Sequence, residues 1–275
     1  MALKLMYITN RPEIAQIAET AGVDRIFVDL EYIGKFDRQG GMDTVQSHHT
    51  LDDVKRVSSA ITDAELLVRV NPIHDATDEY VSSEEEITAV IESGADIIML
   101  PFFKTVDEVK RFLTAVNGRA KTMLLLETPD AVDIVDNLLC LEGIDSIHIG
   151  LNDLSLGYGM KFMFELLTDG TVEKLCTKIR DKNIPYGFGG IASLGKGMVP
   201  AEMIINEHYR LGSTCAILSR SFCNVDKISH MGVISSTFVN GIREIREFEA
   251  ECEKHIGYFI NNKSELEKAV KTIIV

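Results

Sequence analysis

Short apolar runs alternate with amphipathic stretches along the whole sequence, and this alternation limits the folds that the chain can adopt. Eight runs rich in β-branched and aliphatic residues predict strands over 3–8, 25–30, 66–70, 97–100, 122–126, 146–149, 185–188 and 214–218. Helical patterns with start and stop signals lie between them, which is typical of βαβ units around a parallel sheet. Eight such units favour an α/β fold of the closed (β/α)8 TIM barrel type over an open, doubly wound sheet.

Length and composition are compatible with a single barrel domain. The chain has 275 residues, of which 45% are hydrophobic and 25% are charged, as in ordinary globular proteins. We predict a catalytic barrel over residues 1–238. The amphipathic segment over 239–275 exceeds what a barrel needs, so we expect C-terminal helices that pack on a neighbouring subunit of a homo-oligomer.

The charge and the cysteines exclude several classes of partner and site. The formal net charge is −14, which repels phosphate backbones, so no nucleic acid partner is expected. The N-terminal apolar run is broken at residues 10–12 and is too short for a signal peptide or a membrane span. Five cysteines are scattered without a CxxC spacing, which argues against a disulfide framework or a zinc site and indicates a cytoplasmic location.

Two acidic residues follow consecutive predicted strands and indicate a metal site. Glu127 comes directly after the run over 122–126, and Asp153 lies just beyond the run over 146–149. Successive parallel strands bring their carboxyl ends to one face of the barrel, where ligands bind. Two hard oxygen ligands there suit a divalent metal, Mg²⁺ first and Mn²⁺ or Co²⁺ as alternatives, with positions left for a substrate. Each acid could instead interact only with the helix that follows it.

Other polar residues stand at predicted strand ends of the same face. Those that we expect to bind substrate are Asp29, Glu31, Asn71, Asn152 and Arg220. Arg69 is placed to hold a carboxylate or an enolate oxygen, although a salt bridge to Asp29 or Glu31 would explain it equally well.

Candidates for proton transfer lie after the second predicted strand. His48 and His49 belong to the long connection over 32–49, and histidine is the usual acid or base near neutral pH. Tyr32 is a third candidate if its acidity is raised. His148 lies inside a predicted strand, where a histidine is more often a core residue than a catalyst.

Five segments together resemble the HpcH/HpaI aldolase and citrate lyase β-subunit family. Their order and spacing match over about residues 20 to 220, and they are 27–31 (FVDLE), 68–72 (VRVNP), 95–101 (ADIIMLP), 126–128 (LET) and 149–155 (IGLNDLS). The resemblance implies a TIM barrel, a divalent cation on Glu127 and Asp153, and Arg69 beside the oxygen of a 2-oxo acid or acyl-CoA enolate. It also implies an oligomer whose subunits exchange C-terminal helices.

Two positions depart from the aldolase pattern. This chain has Tyr32 where the aldolases have a histidine, and Leu125 where they have a glutamine. We expect a metal-dependent carbon–carbon lyase that acts on a 2-oxo acid or hydroxy-oxo acid through a pyruvate-type enolate. A CoA-ester lyase of the citramalyl or malyl type, and a ligand-binding barrel without catalysis, are the alternatives.

Overall fold

A closed barrel of parallel strands forms the centre of the structure, a computed structural model that describes residues 2–34, 49–228, 230–254 and 257–274. Within these residues the strands pair in chain order, the last with the first. They are β1 (Lys4–Ile8), β2 (Arg25–Asp29), β3 (Glu65–Arg69), β4 (Ile97–Leu100), β5 (Lys121–Leu126), β6 (Ser146–Ile149), β7 (Tyr186–Ile191) and β8 (Cys215–Leu218). The predicted TIM barrel is therefore confirmed.

Helices connect the strands around the outside of the barrel. In the described part of the chain they are α1 (Pro12–Thr20), α2 (Leu51–Ser58), α3 (Ser83–Glu92), α4 (Val106–Val116), α5 (Pro129–Asp133), α6 (Val135–Leu138), α7 (Leu151–Gly157), α8 (Glu165–Thr168), α9 (Thr171–Arg180), α10 (Ala201–Leu211), α11 (Met231–Lys254) and α12 (Tyr258–Ile274). The helices α2, α3 and α4 each begin with a capping box, in which a hydroxyl and an acid three residues later satisfy each other's backbone amides. These caps fix where the loops at the barrel mouth end.

Side chains alternate between two cores. Residues that face outward from the strands pack against the helices in one large cluster. Residues that face inward fill the barrel, and they are Met6, Phe27, Leu67, Ile97, Met99, Met123, Leu125 and Cys215. A barrel filled in this way is closed below its mouth, so ligands can enter only at the loops.

Strand β7 departs from the prediction. The glycine-rich sequence from Gly189 predicts a loop, but the strand continues to Ile191 because Gly190 and Ile191 pair with β8. The pairing register shifts between Gly187 and Gly190. Tertiary pairing has overridden the low strand propensity of glycine.

The C-terminal helices pack on the barrel of their own chain. Helix α11 contacts α1 and α10 and buries Ile234, Phe238, Ile242 and Ile245. It crosses the predicted boundary at residue 238 and forms the barrel's eighth outer helix, because it fills the gap between β8 and β1. Helix α12 contacts α10 and α8, where Asn262 donates hydrogen bonds to Met203 O and Glu207 Oε1. Its packing on a neighbouring subunit stays a prediction.

No helix in the described ranges combines the length and the apolar content that crossing a membrane requires.

Candidate active site

Glu127 and Asp153 lie at the same end of the barrel and line the same two cavities. Glu127 follows β5, and Asp153 lies in the first turn of α7. One cavity, of about 210 Å³, lies on the barrel axis and also contacts Arg69 and His148; we call it the axial cavity. The other, of about 370 Å³, lies between the loops after β4, β5 and β6 and also contacts Lys104; we call it the outer cavity. The two carboxylates therefore stand where the two cavities meet.

Burial and neighbouring charge disfavour an ionised Glu127. Its side chain is 4% exposed, and its Oε1 accepts a hydrogen bond of 3.0 Å from the backbone N–H of Phe102. Loss of hydration raises the pKa of Glu127 to about 8, and repulsion from Glu31 and Asp153 acts in the same direction, against the attraction of Arg69. A bound cation would offset this excess of negative charge.

Gly150 lets the end of β6 approach Glu127. A Cβ atom at this position would lie 2.8 Å from Glu127 Cβ and 2.9 Å from Glu127 Oε2. Any other residue would push the two apart. The N terminus of α7, and with it Asp153, is close to Glu127 for this reason.

Arg69 is held in a fixed orientation by two buried acids. Its Nε and Nη2 donate to Asp29 Oδ1 and Oδ2 at 2.8 and 2.7 Å, and its Nη1 lies 3.3 Å from Glu31 Oε2. Although burial acts to lower it, the pKa of Arg69 is raised by Asp29 and Glu31. The expected salt bridge is present, and the same guanidinium lines the axial cavity. The two acids face the arginine and orient it.

Asn71 is engaged in the scaffold around the cavities. Its Oδ1 accepts hydrogen bonds of 3.0 Å from the backbone of Tyr32 and of Ile33, and its Nδ2 donates to Glu86 Oε1 at 2.7 Å. The amide thus ties the loop after β2 to helix α3. This geometry supports a positioning role for Asn71, and its contact with substrate stays a prediction.

Asn152 and Arg220 lie in different places. Asn152 lines the axial cavity, and its Nδ2 donates to Asp153 Oδ1 at 3.1 Å. Arg220 is exposed and lines a side cavity of about 160 Å³ together with Arg11 and His49. The structure therefore brings Asn152, and not Arg220, to Glu127 and Asp153.

The candidates for proton transfer have distinct surroundings. His48 lies outside the described residues. The Nδ1 of His49 accepts a hydrogen bond of 3.0 Å from the backbone N–H of Asp29. Tyr32 is half exposed and packs against Tyr80, with 5.4 Å between ring centroids. Partial burial raises the pKa of Tyr32, and the neighbouring Glu86 and Tyr80 raise it further. A base at this position would need a lowered pKa, so the shift is in the opposite direction.

Three features of the site were not among those assigned from the sequence. Phe102 has a φ of +48°, which is unusual for a bulky residue and directs its N–H at Glu127. Lys104 lines the outer cavity, with its Nζ 5.0 Å from the centroid of the Phe102 ring. His148 lies on the axial cavity. The position of Lys104, four residues after the end of β4, could have been noted in the sequence. The positive φ of Phe102 could not, because the residue type does not indicate it.

The donor set at the cavities fits a hard cation with open coordination positions. Among the described residues, no group of three or more His, Cys, Asp and Glu side chains is arranged to hold a metal ion. Glu127 and Asp153 would supply two oxygen ligands, and water and substrate would supply the others, as is common for Mg²⁺.

Comparison with known proteins identifies the family of this chain. The model of the HpcH/HpaI aldolase/citrate lyase family matches residues 4–167. A 2-keto-3-deoxy-L-rhamnonate aldolase from Shigella dysenteriae serotype 1 (strain Sd197) is 22% identical over 210 residues, which cover 65% of this chain and 71% of that protein.

Two crystal structures share the fold. An HpcH/HpaI aldolase from Desulfitobacterium hafniense DCB-2 superposes with a TM-score of 0.61 at 16% identity, over 89% of this chain and 93% of that one. An HpcH/HpaI aldolase/citrate lyase family protein from Burkholderia cenocepacia J2315 superposes with a TM-score of 0.59 at 13% identity, over 89% of this chain and 95% of that one. Because the family model covers more than half of the sequence, this chain belongs to the HpcH/HpaI aldolase/citrate lyase family.

Proposed function

We propose that this protein is a divalent-metal-dependent aldolase that cleaves or forms a carbon–carbon bond of a 2-oxo acid through a pyruvate-type enolate. Membership of the family and the aldolase relative indicate an aldolase or lyase, and proteins of this family generally depend on a divalent metal. The observation that carries the finer proposal is that Glu127, Asp153 and Arg69 line one cavity at the barrel mouth.

Glu127 and Asp153 are the residues that would hold the cation, Mg²⁺ first and Mn²⁺ or Co²⁺ as alternatives. When bound, the metal supplies Lewis-acid stabilisation of negative charge on the keto oxygen of the substrate. Asn152 supports this geometry because it donates to Asp153 Oδ1. The apolar floor of the axial cavity, which includes Phe27, Met99 and Leu125, excludes water from the reacting carbon.

Arg69 stabilises the developing enolate oxygen from a preorganised position. Asp29 and Glu31 hold its guanidinium, so the arginine does not reorganise during the reaction. It keeps its proton throughout the working pH range, because the two acids raise its pKa. Fixed donors of this kind act mainly on the transition state.

The tautomer of His49 makes it a hydrogen-bond donor. Its Nδ1 accepts the N–H of Asp29, so in the neutral ring Nε2 carries the proton. From the side cavity that it lines with Arg220, His49 would donate a hydrogen bond to the oxygen of the acceptor aldehyde. His48 is the candidate for the base, since Tyr32 is held in its protonated form at neutral pH by its raised pKa.

Retro-aldol turnover tests the proposed reaction. We expect pyruvate release from 4-hydroxy-2-oxo acids that EDTA abolishes and Mg²⁺ restores. Glu127→Gln and Asp153→Asn are each expected to lose at least about a hundredfold in kcat/KM. Glu142→Gln, an exposed acid on a cavity at the amino ends of the strands, is the control and is expected to keep full activity.

Chelator-insensitive turnover would contradict the metal mechanism. Turnover of citramalyl- or malyl-type CoA thioesters in place of the oxo acids would identify a CoA-ester lyase. Binding of oxo acids without turnover of any kind would identify a ligand-binding barrel. A cytoplasmic location and a homo-oligomer built through the C-terminal helices also belong to this proposal.

A further inference from the structure

Strand β7 contains a bulge at the edge of the axial cavity. Gly187 pairs with Cys215 of β8, and the next paired residue, Gly190, faces Ile217. The β7 strand therefore has one residue more than β8 over this stretch, which defines a β-bulge. Gly189 lies in the bulge with a φ of +51°. A bulge leaves backbone groups outside the ladder, and buried groups of this kind need another partner.

His148 provides the partner for the backbone of Gly189. The imidazole is 1% exposed inside the barrel, and its Nε2 lies 3.2 Å from Gly189 O. Because a carbonyl oxygen only accepts hydrogen bonds, Nε2 carries the ring proton and Nδ1 is an acceptor. Cys215 Sγ lies 4.0 Å from Nδ1. The three groups form a hydrogen-bonded chain from β8 through β6 to the bulge.

This chain keeps one protonation state near neutral pH. Burial lowers the pKa of His148 to about 4 and raises the pKa of Cys215 to about 11. Both groups are therefore neutral at the pH at which an enzyme of this kind would work, and the ring acts as a hydrogen-bond donor to Gly189 and not as a base.

The bulge supports the helix that carries Asp153. A Cβ on Gly189 would lie 2.7 Å from Leu151 Cδ1, so the backbone of the bulge packs directly on this leucine. Leu151 is the first residue of α7 and is 1% exposed. Asp153 lies in the same turn, and Leu151, Gly189 and Gly190 all line the axial cavity. The position of the bulge therefore sets the position of this turn.

We propose that His148 is a positioning residue for the metal-binding acid Asp153, which it places by holding the β7 bulge against the first turn of α7. The inference rests on the proposed function in one respect, namely that Glu127 and Asp153 bind a divalent cation. It assigns His148 to the site although the residue contacts neither acid through a hydrogen bond in the structure.

Two variants at one position separate hydrogen bonding from volume. His148→Gln keeps an N–H donor for Gly189 O, and His148→Met fills a similar volume without a donor. We expect wild type and His148→Gln to bind Mn²⁺ with dissociation constants within about threefold of each other, and His148→Met to bind about ten- to a hundredfold more weakly, as for the loss of other groups that orient a metal ligand. Calorimetric titration of the purified full-length protein with Mn²⁺ measures these constants.

Thr122 offers a control for general loss of stability. It is a buried residue near the amino end of β5, where its hydroxyl donates a hydrogen bond of 2.6 Å to Gly143 O, at the end of the barrel opposite Asp153. Thr122→Val is expected to lower the melting temperature but to leave Mn²⁺ affinity unchanged. Should His148→Met be obtained only unfolded, His148→Asn, whose shorter amide does not reach the carbonyl, takes its place with the same expected weakening.

Hydrogen exchange gives a readout that needs no metal. In His148→Met, and not in His148→Gln, we expect faster amide exchange at 187–191 and at 151–153. Equal exchange and equal Mn²⁺ affinity in wild type and His148→Met would overturn the inference, as would an equally large loss in His148→Gln. If wild type itself fails to bind Mn²⁺, the proposed function fails, and the exchange pattern alone then decides whether His148 positions the turn.

Discussion

Arg69 is held at the barrel mouth by contacts that depend on its guanidinium group. Arg69 ends β3 opposite Asp29, its register partner on β2, and both of its hydrogen bonds to Asp29 are shorter than 3 Å. Planar, two-point recognition of this kind is specific to the guanidinium group, since an ammonium is a point charge on a flexible stem. The identity of the residue matters here as much as its charge.

Arg69→Lys is therefore expected to be a severe substitution. It keeps the charge but cannot satisfy Asp29 and Glu31 together, and we expect kcat to fall about a hundredfold and the free energy of unfolding to fall by about 1–3 kcal/mol. Turnover assays and urea denaturation measure the two effects.

Arg25→Lys is the matched control for this substitution. Arg25 is also largely buried and ion paired, with Glu65 at 2.9 Å, but it lies at the amino end of β2. We expect Arg25→Lys to reduce the stability of the fold and to leave kcat unchanged. Wild-type turnover in Arg69→Lys would remove the arginine from the mechanism.

Ion pairs join four strands at the amino end of the barrel, opposite the site. Glu65 at the start of β3 accepts a hydrogen bond from Lys121 of β5 at 2.6 Å and one from Arg25 of β2 at 2.9 Å, and Lys4 of β1 lies 3.8 Å away. Against the opposing effect of burial, these cations lower the pKa of Glu65 to about 2. This end of the barrel contributes stability and leaves the carboxyl ends of the strands to function.

The stability that Glu65 contributes is expected to depend on pH. Because its pKa is lower in the folded state than in the unfolded state, the contribution is fully present above about pH 4.5 and is lost as the pH falls towards 2. We expect Glu65→Gln to reduce the free energy of unfolding by about 1–2 kcal/mol at pH 7, a value discounted because the side chain is partly exposed. Urea denaturation of wild type and variant between pH 7 and pH 3 measures the difference, and a difference that does not shrink with acidification would contradict this account.

In the described residues, the C-terminal helix α12 lies outside the layer of helices that surrounds the closed barrel. Helix α11 completes the outer layer, whereas α12 covers α10 and α8 and buries Leu266 and Val270. Lys263 and Asn262 anchor it to Glu173 and Glu207 of its own chain. The helix is therefore bound within the subunit by both apolar and polar contacts.

Removal of residues 255–275 tests whether α12 also joins subunits. If the helices build the homo-oligomer, sedimentation velocity is expected to show an oligomer for the full chain and a monomer for the shortened one. The shortened chain is also expected to have a lower melting temperature, because the surfaces of α10 and α8 lose their apolar cover. The same assembly state for both chains would contradict the predicted exchange of helices, and full-length protein from the same preparation is the control.

Local sequence patterns are enough to predict the barrel and the pair of acids at its mouth. The strands follow from local apolar runs, so their predicted ends agree with the structure within one residue except at the end of β7. Glu127 and Asp153 were predictable because parallel strands bring their carboxyl ends together whatever the details of packing.

The contacts of the other residues could not be predicted in this way, because they form only when the chain is folded. Asn71 supports a loop because residues from two other elements come within reach of its amide, and His148 meets Gly189 because β7 bulges where it pairs with β8. Each of these roles depends on register and on contacts between residues far apart in the chain. Local periodicity carries no record of such contacts, since it reports only which face of an element is buried.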